Sequence, residues 1–366
     1  MATAESPSPE PARISTVRPP RPWRAILAVL VAFLVILGGL FAFWFVTGTG
    51  PFTTIEPSTW AFTMTEVTDL QARGLTGQGV TVCIVDTGID PQHPELQGMN
   101  LVAWRDFTPQ RRSVPYDDEG HGTAMAGIIF ARGRLSGVAP SANLIAAKAI
   151  TSSGSGGDVD IANAVDFCVD PNGDGDPTDG AHVISLSLGG GSHPILGSTT
   201  ENAVNRAIDD GVLVVAAAGN DGLADDGDVE SPASVPRVIA VGAVDRQGVI
   251  APFSTRGDNS ACAPPFPRCD PNEKPEVVAP GVDIATILDQ GRYAYVSGTS
   301  PAAALLSGIV ALLLEEHPEY RHDPNRVPLF KIALMDGAQP ANGQQVPHDD
   351  RYGYGLAKAA GTEVLL

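Results

Sequence analysis

The chain has 366 residues, 43% of them hydrophobic, which is enough for one large domain or two ordinary ones with a substantial core. Its net charge of −19 argues against a nucleic-acid partner, because phosphate binding needs a basic surface and none is visible. Its 40 glycines suit an α/β protein with many strand-to-helix turns better than a helical bundle.

In chain order, residues 1–24 are rich in Pro and Ser and read as a disordered cytoplasmic tail carrying Arg13, Arg18, Arg21 and Arg24. Residues 25–46, AILAVLVAFLVILGGLFAFWFV, hold no charge and would make about 33 Å of helix, enough to span a bilayer. Arginines precede this run and no Lys or Arg follows it until Arg73, so the N-terminus is expected inside and the bulk of the chain outside. The alternative is a cleaved signal peptide and a secreted product, but the bulky Phe41–Phe45 stretch is a poor cleavage context. Residues 47–66 read as a stalk and residues 67–366 as one compact unit. About 20 residues separate the apolar run from that unit.

Within that unit, apolar runs at 80–86, 143–150, 182–188, 212–218 and 238–244 alternate with helical spacing at 122–131, 158–168, 200–210, 300–316 and 326–336. Near-continuous apolar strands separated by helices predict a mainly parallel sheet covered on both faces. In such sheets ligands bind beyond the carboxyl ends of the strands.

Chemistry-bearing residues stand where those runs stop. Asp86 closes the first run, His121 lies in Glu119-Gly120-His121-Gly122-Thr123, and Ser300 closes Ser297-Gly298-Thr299-Ser300 ahead of a long apolar helix. Taken singly they read as a turn aspartate, a structural histidine and an N-capping serine. Taken together they supply what amide hydrolysis needs: a nucleophile, a base to take its proton and a carboxylate to hold the base.

The motifs VDTGID at 85–90, GHGTAMAG at 120–127, SLSLGG at 185–190, AAAGN at 216–220 and SGTSPAAA at 297–304 resemble those of the subtilisin-like serine proteases, the subtilases. The resemblance covers about 300 residues and implies a three-layer α/β sandwich around a mainly parallel sheet, with serine endopeptidase activity. It implies Ser300 as nucleophile, His121 as general base and acid, Asp86 as the group orienting His121, and Asn220 as an oxyanion donor. It further implies that Ser187, Leu188 and Gly189 line an extended substrate strand, and that Ala217, Ala218 and Gly219 wall the pocket for the residue before the cut. Those small apolar side chains predict tolerance with a leaning to large apolar residues, while Asp221 at the rim offers a route to a basic one.

Two motifs depart from the family pattern: Ala124 stands for the second His of His-Gly-Thr-His, and the usual Ser-Met-Ala-Ala-Pro reads Ser300-Pro301-Ala302-Ala303-Ala304. Pro301 is expected at the first position of the helix, restricting Ser300 before it.

Asp170, Asn172, Asp174, Asp176 and Asp179 place oxygens at alternate positions around glycines, a pattern that fits a structural calcium loop, although the bidentate Glu of an EF-hand is missing. The competing reading is a solvated acidic turn. Cys262 and Cys269 flank a Pro-rich loop and are expected to pair in an oxidising compartment, whereas Cys83 and Cys168 read equally as separate thiols or a second bridge. A catalytically silent, calcium-stabilised binding module on a membrane stalk is the alternative function. A dinucleotide-binding enzyme is excluded, since no G-x-G-x-x-G follows the first strand.

Overall fold

The computed structural model describes residues 55–366 except 190–197, 225–226, 260–261, 264–265 and 324. The expected cytoplasmic tail and membrane helix therefore lie outside the described residues. Seven strands form one parallel sheet: β1 (Thr81–Asp86), β2 (Asn100–Asp106), β3 (Asn143–Lys148), β4 (Val183–Leu186), β5 (Leu213–Ala217), β6 (Ile239–Val244) and β9 (Val277–Pro280). Their order is β2-β3-β1-β4-β5-β6-β9. Two-residue strands β7 (Cys262–Ala263) and β8 (Phe266–Pro267) pair with each other, as do β10 (Ile284–Leu288) and β11 (Arg292–Val296).

Every residue of β1, β4, β5 and β6 is buried. Since successive strand side chains point to opposite faces, both faces must be covered. Helices α3 (His121–Phe130) and α6 (Thr299–Glu316) pack together, with α6 lying against β4, β5, β6 and β9. Helices α4 (Asp158–Val169) and α5 (Thr199–Asp209) pack on each other and on β1, β3 and β5. The result is the expected α/β sandwich with a parallel central sheet.

Helix α6 is long and apolar enough to cross a membrane, but 89% of it is buried inside the protein, which makes it the core helix of the fold. The β2 strand escaped the sequence reading because it is an edge strand, exposed or half-exposed at all but its last position, and so has no apolar run.

The compact unit begins at Ile55 rather than at residue 67. Helices α1 (Thr59–Met64) and α2 (Val67–Ala72) bury Ala61, Val67 and Leu70, and the Glu56 backbone N–H donates to the Tyr295 hydroxyl at 2.9 Å. Residues 55–66 are thus part of the domain, not a free stalk; their few apolar side chains are too sparse to announce this in the sequence. The remaining helices are α7 (Arg326–Asp336) and α8 (Ala359–Glu363).

Cys83 of β1 and Cys168 of α4 form a disulfide with Cα atoms 5.7 Å apart, closing 85 residues of chain. Of the two alternatives open for these cysteines, the bridge is the one found. Cys269 is also disulfide-bonded, while the side chain of Cys262, its expected partner, lies outside the described residues.

Candidate active site

The sheet order reverses beside β1, whose neighbours are β3 on one side and β4 on the other. A crevice opens at such a point beyond the carboxyl ends of the strands. Asp86 is the last residue of β1 and is 2% exposed. Both carboxylate oxygens accept from His121 Nδ1, at 2.8 and 2.9 Å, and Oδ1 also accepts from the Thr87 N–H at 2.6 Å. A carboxylate only accepts, so the ring proton sits on Nδ1 and the lone pair of the neutral imidazole is left on Nε2. The His121 side chain remains 35% exposed, so that nitrogen can meet a substrate.

His121 opens α3, and the start of that helix is held from several sides. Gly122 is required there, since a Cβ would stand 2.2 Å from the Gly88 carbonyl and 3.1 Å from Asp86 Cβ. The Gly122 N–H donates to Thr87 Oγ1 at 2.8 Å. Gly120, the N-cap, has φ of 110°, a left-handed conformation that suits glycine. It has no side chain to cap with, and Asp117 supplies the cap from three residues upstream: Oδ1 accepts from the Gly120 N–H at 2.9 Å, and Oδ2 from the Thr123 N–H at 2.9 Å and Thr123 Oγ1 at 2.7 Å. Burial pushes the Asp117 carboxyl up, but these donors outweigh it and hold it below the usual range.

Lys148, the last residue of β3 and 1% exposed, donates from Nζ to the Thr87 carbonyl, to Asp118 Oδ1 at 2.8 Å and to the Ile150 carbonyl at 2.9 Å. It anchors the turn just after Asp86. Neither Asp117 nor Lys148 was picked out from the sequence; an aspartate four residues before His121 was the available signal for the first, and nothing local marked the second.

For His121, burial is the largest single influence and pushes the imidazole down. The Asp86 carboxylate, the hydrogen bond to it, Glu119 and Asp117 together outweigh burial and push the ring up to about 9.

Ser300 is the second residue of α6 and is 8% exposed. Its Oγ donates to the Ser187 carbonyl at 3.4 Å, and Ser187 Oγ donates to the Ser300 carbonyl at 3.3 Å. Ser187 directly follows β4, whose Leu186 is in register with Val85 of β1. Ser300 is thereby brought to the strand end next to Asp86, although its hydroxyl is turned to Ser187 and makes no hydrogen bond to His121. Pro301 is the third helical residue, not the first, but its missing N–H is still among those without an intrahelical partner.

The Thr299 N–H donates to Asn220 Oδ1 at 2.9 Å. A backbone N–H can only donate, which fixes the amide orientation of Asn220 and leaves Nδ2 as a donor pointing elsewhere. Thr299 Oγ1 accepts from the Gly219 N–H at 3.1 Å, tying Gly219 and Asn220 to the first turn of α6. An Asn amide donor beside the unpaired N–H groups of a helix start is suited to hold developing negative charge.

Ser187 is buried, Leu188 is half-buried and Gly189 is exposed at the end of β4. Ala217 and Ala218 are 4% and 0% exposed, and Gly219 is buried as well.

The acidic loop after α4 does not assemble a calcium site. Asp170 accepts from the N–H groups of Gly173 at 2.7 Å, Asp174 at 3.2 Å and Gly175 at 2.8 Å, and Asp176 accepts from Thr178 N–H at 2.9 Å. The Asn172 amide turns its nitrogen, a donor, toward Asp174 and Asp179, where a cation would need an oxygen. The carboxylates serve their own turn, and among the described residues no group of three or more His, Cys, Asp or Glu converges to hold a metal.

The Subtilase family profile matches residues 77–355, well over half of the chain. The sequence is 36% identical over 279 residues to Serine protease AprX of Bacillus subtilis strain 168, a match covering 68% of this chain and 60% of that one. It is 36% identical over 272 residues to Subtilisin E of the same organism, covering 73% of this chain and 64% of the relative. Thermophilic serine proteinase of Bacillus sp. strain AK1 is 39% identical over 248 residues, covering 67% and 54%. The chain thus spans less than two thirds of the length of each of these relatives. Its parallel sheet, its Asp86–His121 pair at the strand ends and its profile match together place the chain in the subtilase family.

Proposed function

We propose that the chain is a serine endopeptidase. The observation that supports this reading most is the double hydrogen bond from His121 Nδ1 to a buried Asp86, which leaves the opposite ring nitrogen to act as a base toward Ser300, the second residue of α6. Ser300 Oγ, turned from Ser187 toward His121, attacks the scissile carbonyl as His121 Nε2 takes its proton. Asp86 holds the ring and stabilises its cation. Asn220 Nδ2 and the Ser300 N–H donate to the oxyanion, and His121 returns the proton to the leaving amine. The hydroxyl's present hydrogen bond to Ser187 is consistent with this, since such contacts tighten only when substrate is bound. The names of the relatives, a serine protease and a subtilisin among them, support the same chemistry. A fluorophosphonate probe applied to the full chain tests it: labelling should occur and vanish in Ser300→Ala. Absence of labelling in the unmodified protein at any pH favours a catalytically silent binding module instead.

We further propose that residues 25–46 tether the enzyme to a membrane with residues 55–366 on its outer side. The uncharged 22-residue run and the arginines before it support the anchor. The Cys83–Cys168 bridge supports the outer location, since disulfides persist in oxidising compartments.

A further inference from the structure

The segment that opens the domain is bound to the stretch of chain that delivers Ser300. Gly281, directly after β9, and Gly298, two residues before Ser300, close the base of the β10–β11 hairpin: the Gly298 N–H donates to the Gly281 carbonyl at 2.8 Å. Just inside that base, Ser297 Oγ accepts from the Asp283 N–H at 2.9 Å and donates to Asp283 Oδ1 at 3.4 Å. Asp283 has φ of 52°, a left-handed conformation that persists only where the surroundings hold it. Ser58 holds it from the other side. Its Oγ accepts from the Ala285 N–H at 2.9 Å and donates to the Asp283 carbonyl at 3.5 Å. On the facing strand, the Tyr295 hydroxyl accepts from the Glu56 N–H at 2.9 Å and donates to the Glu56 carbonyl at 3.3 Å. Ser58 occupies the N-cap position of α1, where a serine ordinarily accepts from the helix's own N–H groups, yet it makes no such bond. Its hydroxyl is committed to the hairpin, a departure from local preference of the kind that marks functional sites.

The hairpin also reaches the helix that carries His121. Thr286 Oγ1 donates to the Ala124 carbonyl of α3 at 2.6 Å, and a Cβ built on Gly127 would lie 2.5 Å from Ile287 Cγ1. The same ribbon therefore packs closely on α3 and runs at its end into the first turn of α6. We propose that Ser58 is a positioning residue for peptide hydrolysis, an inference that rests on the endopeptidase reading. By holding Asp283 and the first strand of the hairpin, it fixes Ser297 and so the approach of Ser300 to His121. That approach is demanding, because the Ser300 hydroxyl faces Ser187 and must turn to the ring within a narrow range of distance and angle for its proton to transfer. Ser58 acts through Asp283 and Ser297 and does not itself touch the reacting atoms. Burial of Ile55, Ala61, Val67 and Leu70 keeps the opening segment on the domain when the hydroxyl is removed.

The test uses the full chain, with active sites counted by fluorophosphonate titration and kcat and KM measured separately on one peptide substrate. Ser58→Ala should lower kcat per titrated site about 10-fold with KM within about twofold, the pattern of an interaction that serves only the transition state. Ser58→Thr keeps the hydroxyl and should restore kcat to within about twofold. Ser297→Ala should resemble Ser58→Ala, and the double variant should fall no further than the worse single one, since both hydroxyls act through Asp283. Arg73→Ala removes the 2.7 and 2.8 Å bonds to Glu363, which tie the same end of the domain away from the hairpin, and should leave kcat unchanged. A kcat unmoved in Ser58→Ala, a loss that Ser58→Thr does not restore, or an equal loss in Arg73→Ala overturns the proposal while leaving the endopeptidase reading standing. So does a Ser58→Ala chain without titratable sites, which would show a role in folding alone. An unmodified chain that does not titrate overturns both.

Discussion

Two clusters of ionisable side chains sit at opposite ends of the same parallel sheet, and they have been put to different uses. At the carboxyl ends, Asp86 and His121 form a pair whose carboxylate is 3% exposed and whose imidazole is 35% exposed. At the amino ends, Glu276 directly precedes β9 and accepts from Lys274 at 2.8 Å and from Lys331 at 2.7 Å, with the three side chains 0%, 0% and 4% exposed. Glu276 also accepts from the Ala240 N–H at 2.7 Å, and Lys274 donates to the Val238 carbonyl at 2.6 Å. Burial, the dominant influence, pushes Lys274 down to about 7 against the attraction of Glu276. Both clusters pair charges in the interior. Only the first has a half-exposed member, and that asymmetry suits it to the proton transfer proposed for it and the second to a structural joint.

The contrast breaks if the clusters respond alike to loss of their carboxylates. Asp86→Asn should lower kcat by about 10⁴-fold, the scale established for serine-protease triads, with the protein still folded by circular dichroism. It should also move the pH profile. A base must be neutral to accept a proton, so in the unmodified enzyme activity should rise with pH as His121 deprotonates, with its midpoint near 9 rather than 6.5. Without the Asp86 charge, only Glu119 and Asp117 oppose burial, so the midpoint should shift downward. A midpoint that stays put in Asp86→Asn would show that the carboxylate does not set the base.

Glu276→Ala should do the reverse, lowering stability by about 3–5 kcal/mol in urea unfolding because two buried ammonium groups lose their counter-charge. Its kcat per titrated site should not change. A loss of under about 1 kcal/mol would mean that water reaches this end and the joint is not sealed. The mildest perturbation lies midway along β1: replacing Cys83 and Cys168 together by Ala should cost about 2–4 kcal/mol, read as a lower Tm, with kcat per titrated site retained. Activity that falls in step with stability would show that the bridge also positions Asp86, three residues further along the same strand.

Much of this site was legible because its parts are local. A run such as 81–86 declares a buried strand by its own composition, the Gly-His-Gly of 120–122 declares a tight helix entry, and an apolar stretch after Ser300 declares a core helix. What stayed hidden depends on the other side of the contact. Asp117 caps a helix that begins four residues later, and Lys148 reaches a turn 61 residues away. The acidic loop misled for a related reason: a list of oxygens does not say which way they point, and here backbone donors claimed them.

The sequence by itself determined the alternation of strands and helices and the family, and it marked the three residues proposed to react, since periodicity, turn chemistry and motif order are properties of neighbours along the chain. Tertiary structure alone decided that Cys83 meets Cys168, that residues 55–66 join the domain and that the Asn220 amide oxygen meets the first turn of α6. These are distances between segments remote in the chain, and they are set by how the whole core packs rather than by any residue's own preferences.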